Sequence, residues 1–512
     1  MTTQTVTLDV AGLTLDDVIA VARHGARIEL SANSVKAMAD TRAHIEELAA
    51  GDTPVYGIST GFGALATRHI SSELRAQLQR SLIRSHAAGL GEPVEREVAR
   101  ALMFLRLKTL ASGRTGARPI VAQTMADILN AGITPVVHEY GSLGCSGDLA
   151  PLAHCALVLM GEGEAFDANG VRRPSAEALA EAGITPVELA AKEGLALING
   201  TDGMLGMLIM AIADLEALCT VADVTAAMTV EALLGTDQVF LPELHFPLRP
   251  HPGQALSAQH MLAALAGSEI VASHAEGDTR VQDAYSLRCA PQVAGAVRDT
   301  VTYARQVAER ELAAAIDNPV VLPDGRVSSN GNFHGAPVAY VLDFLAIAAA
   351  DLGSIAERRT DRLLDAARSH GLPPFLADDP GVDSGLMIAQ YTQAAMVSEN
   401  KRLAVPASVD SIPSSAMQED HVSMGWNAAR KLRLSIANLS RILAIELVAA
   451  ARGIDLRAPL QPAPATKAVR DALRETVGGP GTDRWLAPEL QAATDFVRSG
   501  AVHVVTSPYL DA

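Results

Sequence analysis

The sequence predicts a mainly α protein: a long antiparallel helical bundle with a smaller mixed N-terminal part that carries a glycine-rich loop. Three observations lead there. Apolar residues make up 49% of the 512 residues and aromatics only 4%, so Ala, Leu, Val, Ile and Met must fill the interior, which suits closely packed helices. Four apolar stretches, 204–235, 293–315, 338–359 and 423–452, continue with few breakers, which is long for a globular helix and suggests antiparallel packing. The chain also exceeds the usual size of one domain, and a division into 1–200 and 201–512 separates the glycine-rich loop from the long helices and a C-terminal helical region.

Taken in order, "TVTLDVAGLTLDDVIAVA" and "TPVYGISTGFGALA" carry strand-like and turn-like signals. From Ser72, a suitable N-cap, Leu74, Leu78 and Leu82 recur every four residues and predict a helix that ends near Gly89 and Gly91, with His86 on its apolar stripe. Residues 204–235 are apolar on nearly all sides and read as a buried helix. "LRAPLQPAPATK" and "VGGPGTDRW" punctuate the C-terminal part, with a short helix between them and another after Pro488.

With 58 acidic and 41 basic side chains the net charge is −17, so no global positive field exists to attract nucleic acid or an anionic membrane. The start "MTTQTVTLDV" has neither the basic nor the apolar region of a signal peptide, and the apolar run 204–213 stops at Asp214, so no membrane span is expected. Cys145, Cys155, Cys219 and Cys289 form no CxxC pair, which points to free thiols in a reducing cytoplasm.

The densest chemical signal is "HEYGSLGCSGDLAPLAH", residues 138–154, where three glycines fall between positions 141 and 147. It is no P-loop, because the Gly-Lys-Ser/Thr that holds phosphate and magnesium is absent. Asp148 stands where a hydrolase elbow needs its last glycine, and Ser142 replaces the second ligand of a zinc-protease helix. No metal is expected.

"GSLGCSGDLAPLAH" instead resembles the signature of the aromatic amino acid ammonia-lyases, and the resemblance runs from "VYGISTGFGALA" near residue 55 to "SIPSSAMQEDHVSMG" near 425. In that family an Ala-Ser-Gly tripeptide condenses with itself into a methylidene-imidazolone, without a diffusible cofactor. The corresponding residues here are Cys145, Ser146 and Gly147. The amide nitrogen of the glycine must reach the carbonyl of the first residue, which needs a tight turn with no side chain on the attacking residue. The serine then loses its hydroxyl as water. Cys145 stands where the family more often has Ala; its side chain stays outside the ring, so cyclisation is expected to survive.

The resemblance also implies a constellation around the ring. Tyr56 matches the base for the β-proton, a role that needs surroundings favouring phenolate because a free phenol titrates near pH 10. Gln282, Tyr285 and Arg288 lie three residues apart and share one face if their segment is helical. Arg288 would grip the substrate carboxylate, and Tyr285 and Gln282 would line the ring. Asn199 matches an asparagine that contacts the prosthetic group, and Phe333 a pocket aromatic. The family frequently has Gln where Asp202 stands, so Asp202 stays unassigned. His86 and Glu419 fall at substrate-selecting positions, and an anionic acceptor suits an imidazole N–H. The expected reaction is elimination of ammonia from L-histidine to trans-urocanate in a cytoplasmic homotetramer with shared active sites. Alternatives are a tyrosine or phenylalanine ammonia-lyase, an aminomutase of the same family, or, with least support, an inactive structural relative. A fumarase-like lyase is disfavoured because "SIPSSAMQED" lacks that group's lysine and asparagine.

Overall fold

Alternation of buried and exposed residues makes the first two strands. Thr5–Leu8 pairs in parallel with Arg27–Leu30, and Val6, Leu8 and Ile28 turn inward. The computed structural model describes residues 4–50 and 70–510. Between the two strands, the helix Leu15–Ala22 starts at Thr14, whose side chain accepts from the Asp17 amide while the Asp17 carboxylate accepts from the Thr14 amide. The helix Arg75–His86 begins two residues later than an N-cap at Ser72 predicts, after a single 3-10 turn at Ser72–Leu74. That turn takes Leu74 out of the 3.6-residue register and leaves it 50% exposed, so the buried face is Gln79, Leu82 and Ile83. The side chain of Ser72 lies outside the described residues.

Contacts divide the chain into two units, each assembled from three stretches rather than from one continuous run. The first comprises Met1–Met210, Arg305–Asp343 and Pro406–Arg430, and the second Ala211–Ala304, Phe344–Val405 and Lys431–Ala512. The first unit centres on the helix Arg96–Ala111, buried from Val98 to Ala111. Two of its buried cations bind groups beside the site. Arg106 donates to the Asp202 carboxylate and to the carbonyls of Ala196 and Ile316, and Lys108 donates to the Ala314 carbonyl. Asp202, unassigned from the sequence, is therefore the counter-ion of a buried arginine.

The four long helices are Asp202–Ala232, Ala290–Ala313, Ala336–Leu364 and Gly425–Asp455, each within a few residues of its expected bounds. Both orientations occur in the bundle of the second unit. Gln393 donates to the Ile442 carbonyl and Asn400 to that of Ser435, so the helix Met387–Leu403 runs antiparallel to Gly425–Asp455. Arg433 pairs with Asp214 and Thr229 with Glu446, so Asp202–Ala232 runs parallel to Gly425–Asp455. Glu446, fully buried, also takes both prongs of Arg359, so these two buried charges compensate each other.

Three helical stretches, Glu193–Ala232, Ala336–Leu364 and Gly425–Asp455, are long and apolar enough to cross a membrane, but 72%, 61% and 83% of their most apolar windows are buried inside the protein. Their apolarity is spent on the core. All four cysteines are free, and burial pushes the thiol of Cys219 up to about 12.

Candidate active site

The glycine-rich loop is shaped by what crowds it. Gly147 has φ +77, and a Cβ built there would lie 2.0 Å from the Gly200 carbonyl oxygen, so no other residue fits. The adjacent Asp148 amide donates to that same carbonyl at 2.7 Å. The Asp148 carboxylate, fully buried, accepts from the amides of Gly203 and Met204 at 2.8 and 2.9 Å and from the Ser142 hydroxyl at 2.8 Å. An acid thus sits on the open amides at the N-terminus of the helix Asp202–Ala232, where the helix dipole favours negative charge. Burial pushes this carboxyl up to about 7 while those donors pull it down.

The other side of the loop is held by the segment that starts the last long helix. Met424 donates its amide to the Leu143 carbonyl, Ser423 its hydroxyl to the Gly144 carbonyl, and Trp426 its indole N–H to the Glu139 carbonyl at 2.7 Å. Between these grips, Cys145 and Ser146 both face Glu419. The Cys145 thiol donates to one carboxylate oxygen at 3.0 Å and the Ser146 hydroxyl to the other at 3.1 Å. Glu419 is presented by a turn in which Ser415, Ala416 and Met417 all have positive φ, a costly conformation for residues that carry a Cβ.

These groups open onto a cavity of about 550 Å³ that Phe333, Asn318, Asn330 and the stacked rings of His334 and His421 also line. Asn199 lies one residue before Gly200; its side-chain nitrogen donates to the Asn318 carbonyl at 3.0 Å, and its oxygen is buried without a partner among the described residues. His86 ends its helix with Nδ1 2.9 Å from the Leu82 carbonyl, so Nδ1 carries the proton and Nε2 is left as the acceptor. Burial lowers its pKa, opposed by the Leu82 carbonyl and by the charge of Glu419.

Cys145, Ser146, Phe333 and Glu419 are thus brought together in one cavity of the first unit, with Gly147 and Asn199 in the same loop framework. Gln282, Tyr285 and Arg288 belong to the second unit. The condition for their common helical face is not met: only Tyr285–Arg288 is helical, and Gln282 precedes it outside any regular element. Pro291 occupies the first turn of the helix Ala290–Ala313 that follows, where the missing N–H costs nothing. The Arg288 guanidinium stacks 4.7 Å above the Tyr285 ring, and its Nε is buried without a partner among the described residues. Tyr56 lies outside the described residues. Among the described residues no group of three or more His, Cys, Asp or Glu side chains is placed to hold a metal ion.

Sequence reasoning missed Asp148 and the histidines that bracket the loop. His154 accepts the Gly89 amide at Nε2, 3.1 Å away, and so ties the segment after His86 to the helix Leu149–Leu159. Burial, with His138 beside it, holds the imidazole down to about 4 against an ordinary 6.5. The unfolded chain therefore binds more protons between these values, and stability present above pH 6.5 is lost as pH falls towards 4. His154→Gln, which keeps an acceptor but cannot titrate, should flatten the fall in Tm across that window; thermal melts that fall equally steeply in both proteins would rule this out.

A glycine turn braced against a buried acid, with a serine aimed at a carboxylate in a helical scaffold, defines the class. The chain belongs to the aromatic amino acid lyase family: the sequence model described as "Aromatic amino acid lyase" matches residues 13–475. More particularly, it is similar to the histidine ammonia-lyase of Streptomyces avermitilis, 73% identical over 98% of this chain and 99% of that protein. The histidine ammonia-lyase of Gloeobacter violaceus is 50% identical over 96% of each. Among solved structures, the tyrosine aminomutase of Streptomyces globisporus superposes with a TM-score of 0.94 at 38% identity, covering 99% of both chains. The histidine ammonia-lyase of Trypanosoma cruzi gives 0.90 at 40% identity, covering 99% of this chain and 95% of that one.

Proposed function

We propose that the chain removes ammonia from L-histidine without oxidation, releasing trans-urocanate. The observation that carries this reading is the Glu419 carboxylate, an anionic acceptor for an imidazole N–H, set 3.1 Å from the Ser146 hydroxyl in the cavity. The histidine ammonia-lyases that reach 73% identity support the same substrate.

The residues present fit a methylidene-imidazolone made from Cys145, Ser146 and Gly147. The left-handed, side-chain-free Gly147 supplies the attacking amide, Ser146 the hydroxyl that leaves, and the buried oxygen of Asn199, without a partner among the described residues, is one that a polar group formed at the loop would satisfy. The ring would supply an electrophile that eases departure of the amine. Every other task falls to side chains. Arg288 binds the substrate carboxylate through its planar fork. Tyr56 removes the β-proton, Tyr285 shares in the proton handling and lines the ring with Gln282, and Asn199 contacts it. Phe333 walls the pocket, and Glu419 accepts the imidazole N–H with His86 in support. The overall balance is one C–N and one β C–H bond broken, one C=C bond formed, and ammonia released.

The working assembly in this reading is a cytoplasmic homotetramer with shared active sites. An open apolar groove of about 540 Å³ lined by Val293, Val297, Tyr303, Phe344 and Ile347 favours a further copy of the chain as its cover. Incubation with L-histidine, L-tyrosine and L-phenylalanine in turn, with absorbance of urocanate, coumarate and cinnamate as the readout, tests the substrate. Urocanate should form fastest. Faster coumarate or cinnamate, or a β-amino acid product, would overturn the histidine assignment.

A further inference from the structure

Among the described residues the carboxylate of Glu419 receives three side-chain donors, and they are not shared evenly. Among the described residues, Oε1 accepts only from the Ser146 hydroxyl, at 3.1 Å. Oε2 accepts from the Cys145 thiol at 3.0 Å and from the Ser414 hydroxyl at 3.3 Å. Backbone bonds between Ser414 and Glu419, at 2.9 and 3.3 Å, close the strained turn and keep the Ser414 hydroxyl beside the carboxylate. Dehydration of Ser146 would remove Oγ as water, together with the α-proton of the same residue, and would take away the donor on Oε1 while leaving both donors on Oε2.

We propose that Cys145, together with Ser414, is a positioning residue: the two clamp Oε2 of Glu419 so that Oε1, released by loss of the Ser146 hydroxyl, is the oxygen offered to the substrate imidazole. This rests on the reading of the loop and substrate given above. The clamp gives the thiol a use that alanine at the same position could not serve, since a methyl group leaves Oε2 with one donor among the described residues and the terminal carboxylate torsion, broad in any glutamate, correspondingly free. Burial first, and Glu419 second, push the Cys145 thiol up to about 12, so at neutral pH it stays a protonated donor rather than a nucleophile beside an electrophile. A thiolate would repel the carboxylate it now holds.

The test needs no turnover. Ser146→Ala protein lacks the departing hydroxyl and cannot form the ring, so L-histidine binding can be titrated calorimetrically on the folded protein. Adding Cys145→Ala to that background should weaken L-histidine about tenfold, and Cys145→Ser should restore it to within about threefold, the size expected for one donor to a charged group. In a Ser146→Ala, Glu419→Gln background Cys145→Ala should change nothing further. Ser414→Ala should act in the same direction and carries the test if a Cys145 variant fails to fold. Equal affinity with and without these donors, or an equal loss in the Glu419→Gln background, overturns the clamp while the lyase reading stands. Folded Ser146→Ala protein that binds no L-histidine at all overturns the clamp and the histidine reading together.

Discussion

Ser146→Ala protein should fold as its parent does and lose at least ~10³-fold in kcat/KM, or ~4 kcal/mol of barrier lowering, because alanine has nothing to eliminate and the electrophile cannot form. The loop does not need that hydroxyl for its shape. Its grips are the Asp148 amide on Gly200, the Asp148 carboxylate on Gly203, Met204 and Ser142, and the Ser423 and Met424 bonds to Gly144 and Leu143. Among the described residues the Ser146 side chain contributes only its 3.1 Å bond to Glu419. Urocanate formation followed beside circular dichroism and a thermal melt separates chemistry from folding. Near-parental turnover in a folded variant would exclude Ser146 as the source of the electrophile.

The second large effect belongs to Glu419→Gln. The amide keeps the shape and one acceptor but loses the charge, so an imidazole N–H meets a weaker partner and proton transfer near the departing amine loses its anion. Histidine turnover should fall ~10²-fold, about 2.7 kcal/mol, which is the usual scale for losing an ionised group at a reacting centre. Any residual activity on L-phenylalanine should fall less, since a benzene ring cannot use the acceptor and leaves a desolvated carboxylate unpaired at a cost of ~1–3 kcal/mol. Parallel kinetics on the two substrates decide the matter. Equal losses would give Glu419 a general catalytic part and leave selectivity to His86.

What the sequence revealed and what it hid follow from the same physics. The helix Asp202–Ala232 was legible because a long apolar run with no breaker has few other ways to bury itself. The loop was legible because three glycines in seven positions mark a backbone that must bend. From the sequence Asp148 serves only to rule out a hydrolase elbow, because only the fold shows it buried on the amides of another helix. The burial of Arg106 and Lys108 depends on Asp202 and on distant carbonyls, which no local pattern encodes. The three-residue spacing of Gln282, Tyr285 and Arg288 would give one face only in a helix, and the helical turn starts only at Tyr285, since spacing alone does not nucleate a helix. The start of the helix Arg75–His86 shifted for a related reason: a 3-10 turn has its own period, and leucines every four residues cannot mark where one gives way to the other.

The central claim, that the loop converts its own backbone into the reactive group, is tested most directly by mass spectrometry of the peptide containing Cys145, Ser146 and Gly147 from freshly prepared folded protein. The account predicts a peptide lighter than its translated sequence by two waters, with Ser146→Ala protein showing no such loss. A peptide of unmodified mass from the unsubstituted, folded protein would contradict it.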